Sequence, residues 1–177
     1  MAFEQRPLSG FGNRDEVRVS NPLGRIPAPV LDHGETLVDS GAIIDHLDEI
    51  YGRDHALTPA VGPDRRAVLK VTSLMGACEK DLQAAYKRNH HLPEKLHQPW
   101  IDDCITQMTN ALSTIDAIIE PGSPHLLLQR LTQADVTAFV AERLARQIGI
   151  DTAAQTPRLR ELTMRLAEED PFRSTEP

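Results

Sequence analysis

Two long stripes of apolar residues at helical spacing lie in the second half of this chain and decide most of what it can fold into. The first runs from Val68 to Ala85 and the second from Leu96 to Ile119, with apolar residues three or four positions apart. Such spacing places these side chains on one face of a helix, and two such faces bury each other when the helices pack antiparallel. We therefore predict two long helices that are joined through the loop from His90 to Pro93.

The segment from Leu131 to Val136 indicates where a further helix begins. Thr132 is a favoured N-cap residue, and Asp135 stands three residues later, where an acidic side chain completes a capping box. Leu131 and Val136 occupy the two positions of a hydrophobic staple. Thr132 and Asp135 are therefore predicted to form a structural capping motif rather than a catalytic dyad. Helical spacing continues beyond them and recurs from Leu159 to Leu166.

The first third of the chain has a different pattern. Phe3 to Leu8 is typical of a short strand, Asp15 to Val19 of a weak helical turn, and no strand is predicted after Val38. The polar stretch from Gly52 to Pro63 contains two prolines and two glycines, which is typical of a linker. We therefore predict an α/β domain over residues 1–53, a linker over 54–63 and an all-α domain over 64–177, so that the protein is mostly α overall.

Charge and composition argue against several classes of partner. The 26 acidic residues outnumber the 19 basic ones, for a net charge of -7, whereas nucleic-acid binding normally needs a basic surface. No run of 18 apolar residues exists, so no transmembrane helix is predicted, and the first six residues do not resemble a secretory signal. We expect a cytoplasmic protein with neither a membrane nor a nucleic-acid partner.

The spacing of the cysteines and histidines does not match that of a metal site. Cys78 and Cys104 fall on helical patterns rather than in a C-x-x-C pair, so we expect free, buried thiols. His90, His91 and His97 lie close in sequence, but none has the i, i+4 spacing of a helical ligand pair and no cysteine accompanies them. A solvated loop between helices is the expected setting of these histidines.

The stretch from Asn21 to Ser40 begins with features that suit an extended peptide ligand. Ile26-Pro27 lies between a loop that contains Gly24 and the strand-like run from Ala28 to Leu31. Only an X-Pro bond adopts the cis form at a cost of about 0.5 to 1 kcal/mol. A cis bond here would turn the amide and carbonyl of Ile26 outward, where a peptide could pair with them. On this dipeptide alone, an ordinary trans proline in a turn is the alternative.

The same stretch ends in a hairpin and a helix start. Residues 32–35 form a tight turn with Gly34, so Ala28–Asp32 and Glu35–Val38 are predicted to pair as a hairpin. Ser40 is then a favoured N-cap for a helix that ends at Gly52. Free amides at a helix start bind a carboxylate, and Asp39 beside them can receive an ammonium group. This combination suits an amino-acid head group, and an N-cap without a ligand is the alternative.

The order and spacing of these residues resemble the glutathione transferase superfamily, in particular the bacterial-type cytosolic enzymes. In that family a thioredoxin-like N-terminal domain carries the motif N-P-x-G-[KR]-[VI]-P, a hairpin, and then an acidic residue and serine before a helix. A capping motif like that from Leu131 to Val136, and an ending like DPFR, also occur in the family's helical domain, so the resemblance covers nearly the whole chain. The residues that match the N-terminal motif are Asn21, Pro22, Gly24, Arg25, Ile26, Pro27, Asp39 and Ser40.

The resemblance implies a glutathione site and a homodimer. It implies that the backbone of Ile26 pairs with the cysteinyl part of glutathione, the co-substrate, and that Pro27 is cis. Asp39 and Ser40 would hold the γ-glutamyl end, and Arg25 would pair with the glycyl carboxylate. Tyr86 and Lys87 lie where the resemblance places the pocket for a small electrophile, and a solvated helix face is the alternative there.

The resemblance also implies that the thiol-activating residue lies upstream of Met1, so no catalytic residue is predicted within the chain. A β-α unit before Phe3 would need about 25 residues, and Ser9 lies too close to Pro27 to replace it. We expect a truncated thioredoxin-like subdomain followed by a glutathione transferase-type helical bundle. The complete form would attack an electrophile with glutathione thiolate, and the chain itself is expected to be weakly active. The alternatives are an impaired glutathione-binding or dimerisation module and a structural regulator.

Overall fold

The computed structural model describes residues 3–8, 12–87 and 93–174, except for the side chains of 77–87 and 93. The chain divides into two compact units, Met1–Ala56 and Leu57–Pro177, and the boundary between them falls inside the stretch predicted as a linker. Helices are the main elements of both units. Their bounds are Arg14–Ser20 (α1), Ser40–Tyr51 (α2), Gly62–Lys87 (α3), Gln98–Ile118 (α4), Gln133–Gln147 (α5), Thr152–Gln155 (α6), Pro157–Ala167 (α7) and Asp170–Arg173 (α8), with a 3-10 helix at Pro93–Lys95.

The smaller unit contains α1, a β-hairpin and α2. Leu31 N donates to the carbonyl of Glu35 at 2.8 Å, and Leu37 N donates to the carbonyl of Pro29 at 3.0 Å. Gly34 closes the turn at a φ of 92°, a conformation that glycine adopts without the steric cost that a side chain would add. The hairpin therefore turns where the sequence predicts it, although its ladder is short.

The strand predicted for Phe3 to Leu8 is not formed. These residues have no regular secondary structure, and Phe3 is 78% exposed. A strand is stabilised through hydrogen bonds to a neighbouring strand, and the described part of the smaller unit offers residues 3–8 no such neighbour. The predicted thioredoxin-like sheet is therefore reduced, within the described residues, to the antiparallel bridge between Val30 and Thr36.

The larger unit holds the hydrophobic core. α3 contributes the first part of one predicted apolar face, through Val68, Val71 and Met75, and α4 contributes the other. The predicted Cys78, Leu82 and Ala85 lie outside the described side chains. α3 packs against α4 and against α5. Trp100, in the first turn of α4, departs from the predicted stripe because it is 56% exposed. The thiol of Cys104 is buried and forms no disulfide. Core side chains with at most 2% exposure include Val68, Val71, Met75, Met108, Leu112, Ile115, Leu159, Leu162 and Leu166.

A buried aspartate fixes the start of α5. Thr132 and Asp135 form the predicted capping box. The Asp135 carboxylate, which is fully buried, accepts hydrogen bonds from Thr132 N at 2.9 Å and Thr132 Oγ1 at 2.7 Å. Its other oxygen accepts from Leu126 N at 2.7 Å, nine residues upstream. One side chain thus anchors both the helix start and the loop that precedes it.

A second buried carboxylate connects α5 with the elements that follow. Glu142 is 1% exposed and accepts a hydrogen bond from Thr152 Oγ1 at 2.5 Å. Arg146 Nε lies 3.0 Å and Arg160 Nη1 lies 3.6 Å from Glu142 Oε1. Since Thr152 belongs to α6 and Arg160 to α7, this carboxylate links three helices through polar contacts.

Within the residues that the structure describes, no helix is both long and apolar enough to cross a membrane. Over the same residues, no group of three or more histidine, cysteine, aspartate or glutamate side chains is arranged to hold a metal ion. The predicted His90 and His91 lie outside the described residues, whereas His97 is exposed immediately before α4.

Candidate functional site

The candidate site begins with the loop from Asn21 to Pro27 in the smaller unit. Asn21 is 2% exposed, and its amide group donates to the carbonyl of Arg25 at 2.7 Å and accepts from Leu23 N at 3.0 Å. These bonds fix the loop from its inner side, because a buried amide with both ends paired holds the backbone around it. The Ile26-Pro27 peptide bond is cis. Arg25, Ile26 and Pro27 are all left exposed.

Two arginines that the sequence analysis missed cover this loop. Gly24 is buried with a φ of 63°, and a Cβ atom added to it would lie 3.0 Å from Arg14 Cγ and 3.3 Å from Arg18 Cγ. The methylene stems of the two arginines therefore occupy the space that a side chain at position 24 would need. The i, i+4 spacing of Arg14 and Arg18 on α1 was the available signal, but nothing in the sequence places that helix over Gly24.

Asp39 caps α2, in place of the predicted Ser40. α2 begins at Ser40, and Asp39 Oδ1 accepts a hydrogen bond from Gly41 N at 2.9 Å. The aspartate carboxylate reaches the second amide of the helix, so Ser40 becomes its first helical residue. Asp39 has a φ of 79° and a ψ of 136°, a region that residues other than glycine rarely occupy. Such conformations cluster at functional sites.

The hairpin connects the segment after Pro27 with the segment before Asp39. Pro29 and Leu37 are joined by a backbone hydrogen bond of 3.0 Å across the two strands. Pro27 and Asp39 each lie two residues beyond this pair in the chain, at the open end of the hairpin. The loop from Asn21 to Pro27 and the start of α2 therefore share one edge of the smaller unit.

The electrostatics at this edge suit a ligand that carries both a negative and a positive group. The first amides of α2 have no acceptor within the helix, and the helix dipole adds positive potential there. Asp39 uses one oxygen for its cap, and its second oxygen has no hydrogen-bond partner among the residues that the structure describes. Asp39 and Ser40 are both exposed. The arrangement can receive a carboxylate at the helix start and an ammonium group at Asp39.

The predicted electrophile contacts Tyr86 and Lys87 belong to the larger unit. They lie in the last turn of α3, in the larger unit, where the side chains are outside the description. Their contact with an electrophile stays a prediction. The other predicted binding residues, from Arg25 to Pro27 and from Asp39 to Ser40, all lie in the smaller unit.

This chain is similar to one family model and to several solved structures. Residues 1–56 match the family described as glutathione S-transferase, N-terminal domain. A glutathione S-transferase from Methylobacterium radiotolerans, in complex with glutathione sulfonate, has a TM-score of 0.86 at 19% identity, covering 96% of this chain and 80% of that one. A glutathione transferase family member from Pseudomonas fluorescens Pf-5, with bound glutathione, has a TM-score of 0.84 at 24% identity, covering 99% and 85%.

A third solved structure carries a higher sequence identity. A glutathione S-transferase from Xanthobacter autotrophicus Py2 is 26% identical to this chain, with a TM-score of 0.72, covering 88% of this chain and 74% of that one. Comparison with curated protein sequences finds no match. The chain therefore shares its fold with these bacterial transferases over most of its length.

Proposed function

The chain belongs to the glutathione S-transferase superfamily, and on that premise we propose that it binds glutathione as its co-substrate at the edge formed by Pro27 and Ser40. The hairpin bond between Pro29 and Leu37 supports this proposal, because Pro27 and the start of α2 each lie just beyond the open end of that hairpin. Glutathione combines an extended cysteinyl segment, which carries the thiol, with a γ-glutamyl head group. The exposed backbone of Ile26 suits the first, and the start of α2 suits the second.

Each part of glutathione has an assigned partner. The backbone of Ile26 pairs with the cysteinyl segment, as in other sites where an extended peptide adds to a strand edge. The carboxylate of the γ-glutamyl end binds the first amides of α2 and Ser40, and its ammonium group binds the second oxygen of Asp39. Arg25 pairs with the glycyl carboxylate. The exposure of all these residues supports the assignment.

The proposed reaction is the conjugation of glutathione to a small electrophile. The thiol of glutathione loses its proton to solvent, and the thiolate attacks an electrophilic carbon. A sulfur–carbon bond forms while the leaving group departs with its electron pair. We assign no thiol-activating residue within residues 1–177, so we expect slow turnover. Tyr86 and Lys87 are proposed contacts of the electrophile. We also propose that the protein acts in the cytoplasm, as a homodimer.

A second candidate function is a glutathione-binding or dimerisation module with impaired catalysis. α2 favours it, because none of the residues of this helix is buried. Its apolar side chains Leu47, Ile50 and Tyr51 are 36%, 48% and 50% exposed. An apolar helix face of this kind is typical of a surface that another polypeptide covers.

Calorimetric titration with glutathione tests the proposed site. We expect saturable binding to the 177-residue chain, and about tenfold weaker binding for Ser40→Ala and Asp39→Asn, since a hydrogen bond to a charged group contributes about 1.5 to 3 kcal/mol. Ser73→Ala, at an exposed position of α3, is the matched control. Absence of saturable binding, or equal affinity in all variants, would refute the proposal.

Turnover with a generic aryl halide separates the two candidate functions. Slow conjugation that depends on Ser40 supports an impaired enzyme, whereas binding without any conjugation supports a binding module. Rapid conjugation would contradict the slow turnover that we expect of this chain. Sedimentation analysis of the same samples measures the proposed homodimer directly.

A further inference from the structure

His125 is a titratable residue that the proposed function does not use, and its ring faces a buried carboxylate. It lies in the loop between α4 and α5, and its side chain is 16% exposed. Its Nδ1 atom is buried, lies 3.9 Å from Asp135 Oδ1, and has no hydrogen-bond partner among the residues that the structure describes. A separation of 3.9 Å is too long for a hydrogen bond, so the two groups are close without being joined.

The carboxylate of Asp135 has an acceptor position left for this ring. A carboxylate has about four lone-pair positions, two on each oxygen. Asp135 Oδ2 accepts from Thr132 N and Thr132 Oγ1, whereas Oδ1 accepts one hydrogen bond, from Leu126 N, within the described part of the chain. Oδ1 is also the oxygen that faces His125 Nδ1. Since Asp135 is fully buried, a positive charge at this point offsets part of the cost of burying its own charge.

Other charged groups near the loop are already paired or exposed. On α7, Arg165 donates from Nη2 to the carbonyl of Ser123 at 2.6 Å, two residues before the ring. Its Nη1 pairs with Glu161 at 2.6 Å, so its charge is compensated on its own helix. The charged residues of the loop itself are exposed, and these are Glu120 and Arg130. Asp135 is therefore the charged group that the structure pairs with the ring.

We propose that His125 is a pH-sensitive contact that stabilises the loop before α5 when its ring is protonated. Histidine is the side chain whose charge ordinarily changes between about pH 5 and 8. In the neutral ring one nitrogen lacks a hydrogen, whereas in the protonated ring both nitrogens donate. A movement of about 1 Å then brings Nδ1 to hydrogen-bond distance from Asp135 Oδ1, and the bond joins two opposite charges.

The direction of the effect follows from which form of the ring gains the partner. Protonated His125 has Asp135 beside it in the folded protein and water around it in the unfolded chain, so the contact adds stability on the acid side of the histidine range. That contribution is lost as the pH rises and the ring becomes neutral. His125 belongs to the larger unit and lies outside the proposed glutathione site, so the contact is independent of the proposed function.

Amide hydrogen exchange tests the proposal at Leu126 N, which donates to the same carboxylate oxygen. The protection factor of this amide, which removes the intrinsic pH dependence of exchange, is measured at about pH 5.5 and about pH 8 in the wild type and in His125→Gln. The ratio of wild type to variant should be about tenfold larger at the lower pH, since one hydrogen bond between charged groups contributes about that factor or more. A purely structural role of the ring would change protection equally at both pH values. His97→Gln, at an exposed position before α4, is the matched control and should give the same ratio at both.

A second measurement needs no variant. The carboxyl carbon of Asp135 and the ring of His125 are followed by NMR through the same pH range in the wild type. We expect both signals to change with one midpoint, because protonation of the ring alters the charge beside the carboxylate. The ring of His97 should titrate without a matching change at Asp135.

Each result decides for or against the contact. A protection ratio that is the same at both pH values, or larger at the higher one, would refute it. A carboxyl signal of Asp135 that does not follow the ring of His125 would refute it as well, and this signal alone decides if His125→Gln does not fold.

Discussion

Replacing Asp135 by alanine removes the acceptor that holds the start of α5. The buried carboxylate accepts from Leu126 N, Thr132 N and Thr132 Oγ1 at 2.7, 2.9 and 2.7 Å. Leu126 is 3% exposed and Thr132 is fully buried, so water has little access to the donors that are left behind. Two of these donors are backbone amides, which cannot rotate to find another acceptor, whereas the hydroxyl of Thr132 can.

These contacts set the size of the effect. A buried donor without an acceptor costs about 1 to 3 kcal/mol, so the two amides together cost about 2 to 6 kcal/mol. Removing a buried carboxylate returns part of its desolvation cost. We therefore expect Asp135→Ala to lower the free energy of unfolding by about 3 kcal/mol, a large part of the 5 to 15 kcal/mol that is typical of a domain. Asp151→Ala, which removes a cap at an exposed position, is expected to cost about 1 kcal/mol or less.

Urea unfolding measures this difference. Far-UV circular dichroism follows all helices, and the fluorescence of Trp100, the single tryptophan of the chain, follows α4 in the larger unit. The two probes should give the same shift for Asp135→Ala if the larger unit unfolds as one body. A loss below 1 kcal/mol, or one equal to that of Asp151→Ala, would refute the claim that this carboxylate is the main anchor of α5.

Three further predictions concern single residues. Glu142→Gln should lower the unfolding free energy of the larger unit by about 1 kcal/mol, because Arg146 and Arg160 lose the charge of their partner but still reach water. Urea unfolding equal to the wild type would contradict this. Asp39→Gly should slow amide hydrogen exchange in α2, because the relief of about 1 to 3 kcal/mol of backbone strain exceeds the stability lost with the capping hydrogen bond. Glutathione binding should weaken in the same variant. Faster exchange in α2 would refute this prediction. Gly24→Ala should speed hydrogen exchange in α1, and unchanged exchange would mean that α1 tolerates a methyl group there.

The helical domain was largely predictable from the sequence because its core uses large apolar residues at regular spacing. Val68 and Met75 on α3 and Met108 and Ile115 on α4 are buried as the stripes predicted. α5 was described less well. Val140, one of the apolar residues that continue the helical spacing after Val136, is 48% exposed, whereas several alanines of this helix are buried. Small residues let α3 and α5 approach closely, and a pattern search that weights large side chains misses them. These alanines are Ala134, Ala138, Ala141 and Ala145.

In the smaller unit, the sequence predicts only those elements that depend on residues close in the chain. The turn at Gly34 and the helix from Ser40 depend on glycine and on a capping side chain, both visible in the sequence. The strand from Phe3 to Leu8 depended on a partner strand, which no local pattern can supply. Arg14 and Gly24 lie ten positions apart in the sequence, and the path of the loop that brings them close depends on other residues. Neither residue type predicts this contact.

The most direct test of the proposed glutathione site is an NMR titration of the isotope-labelled chain with glutathione, read residue by residue. We expect saturable shifts of the backbone amides of Ile26, Ser40 and Gly41, while buried core positions of the larger unit such as Ala138 stay unchanged. Ser40→Ala should weaken the same shifts without moving them elsewhere. Saturable shifts centred outside the smaller unit, or no saturable shift at all, would contradict a glutathione site at the edge between Pro27 and α2.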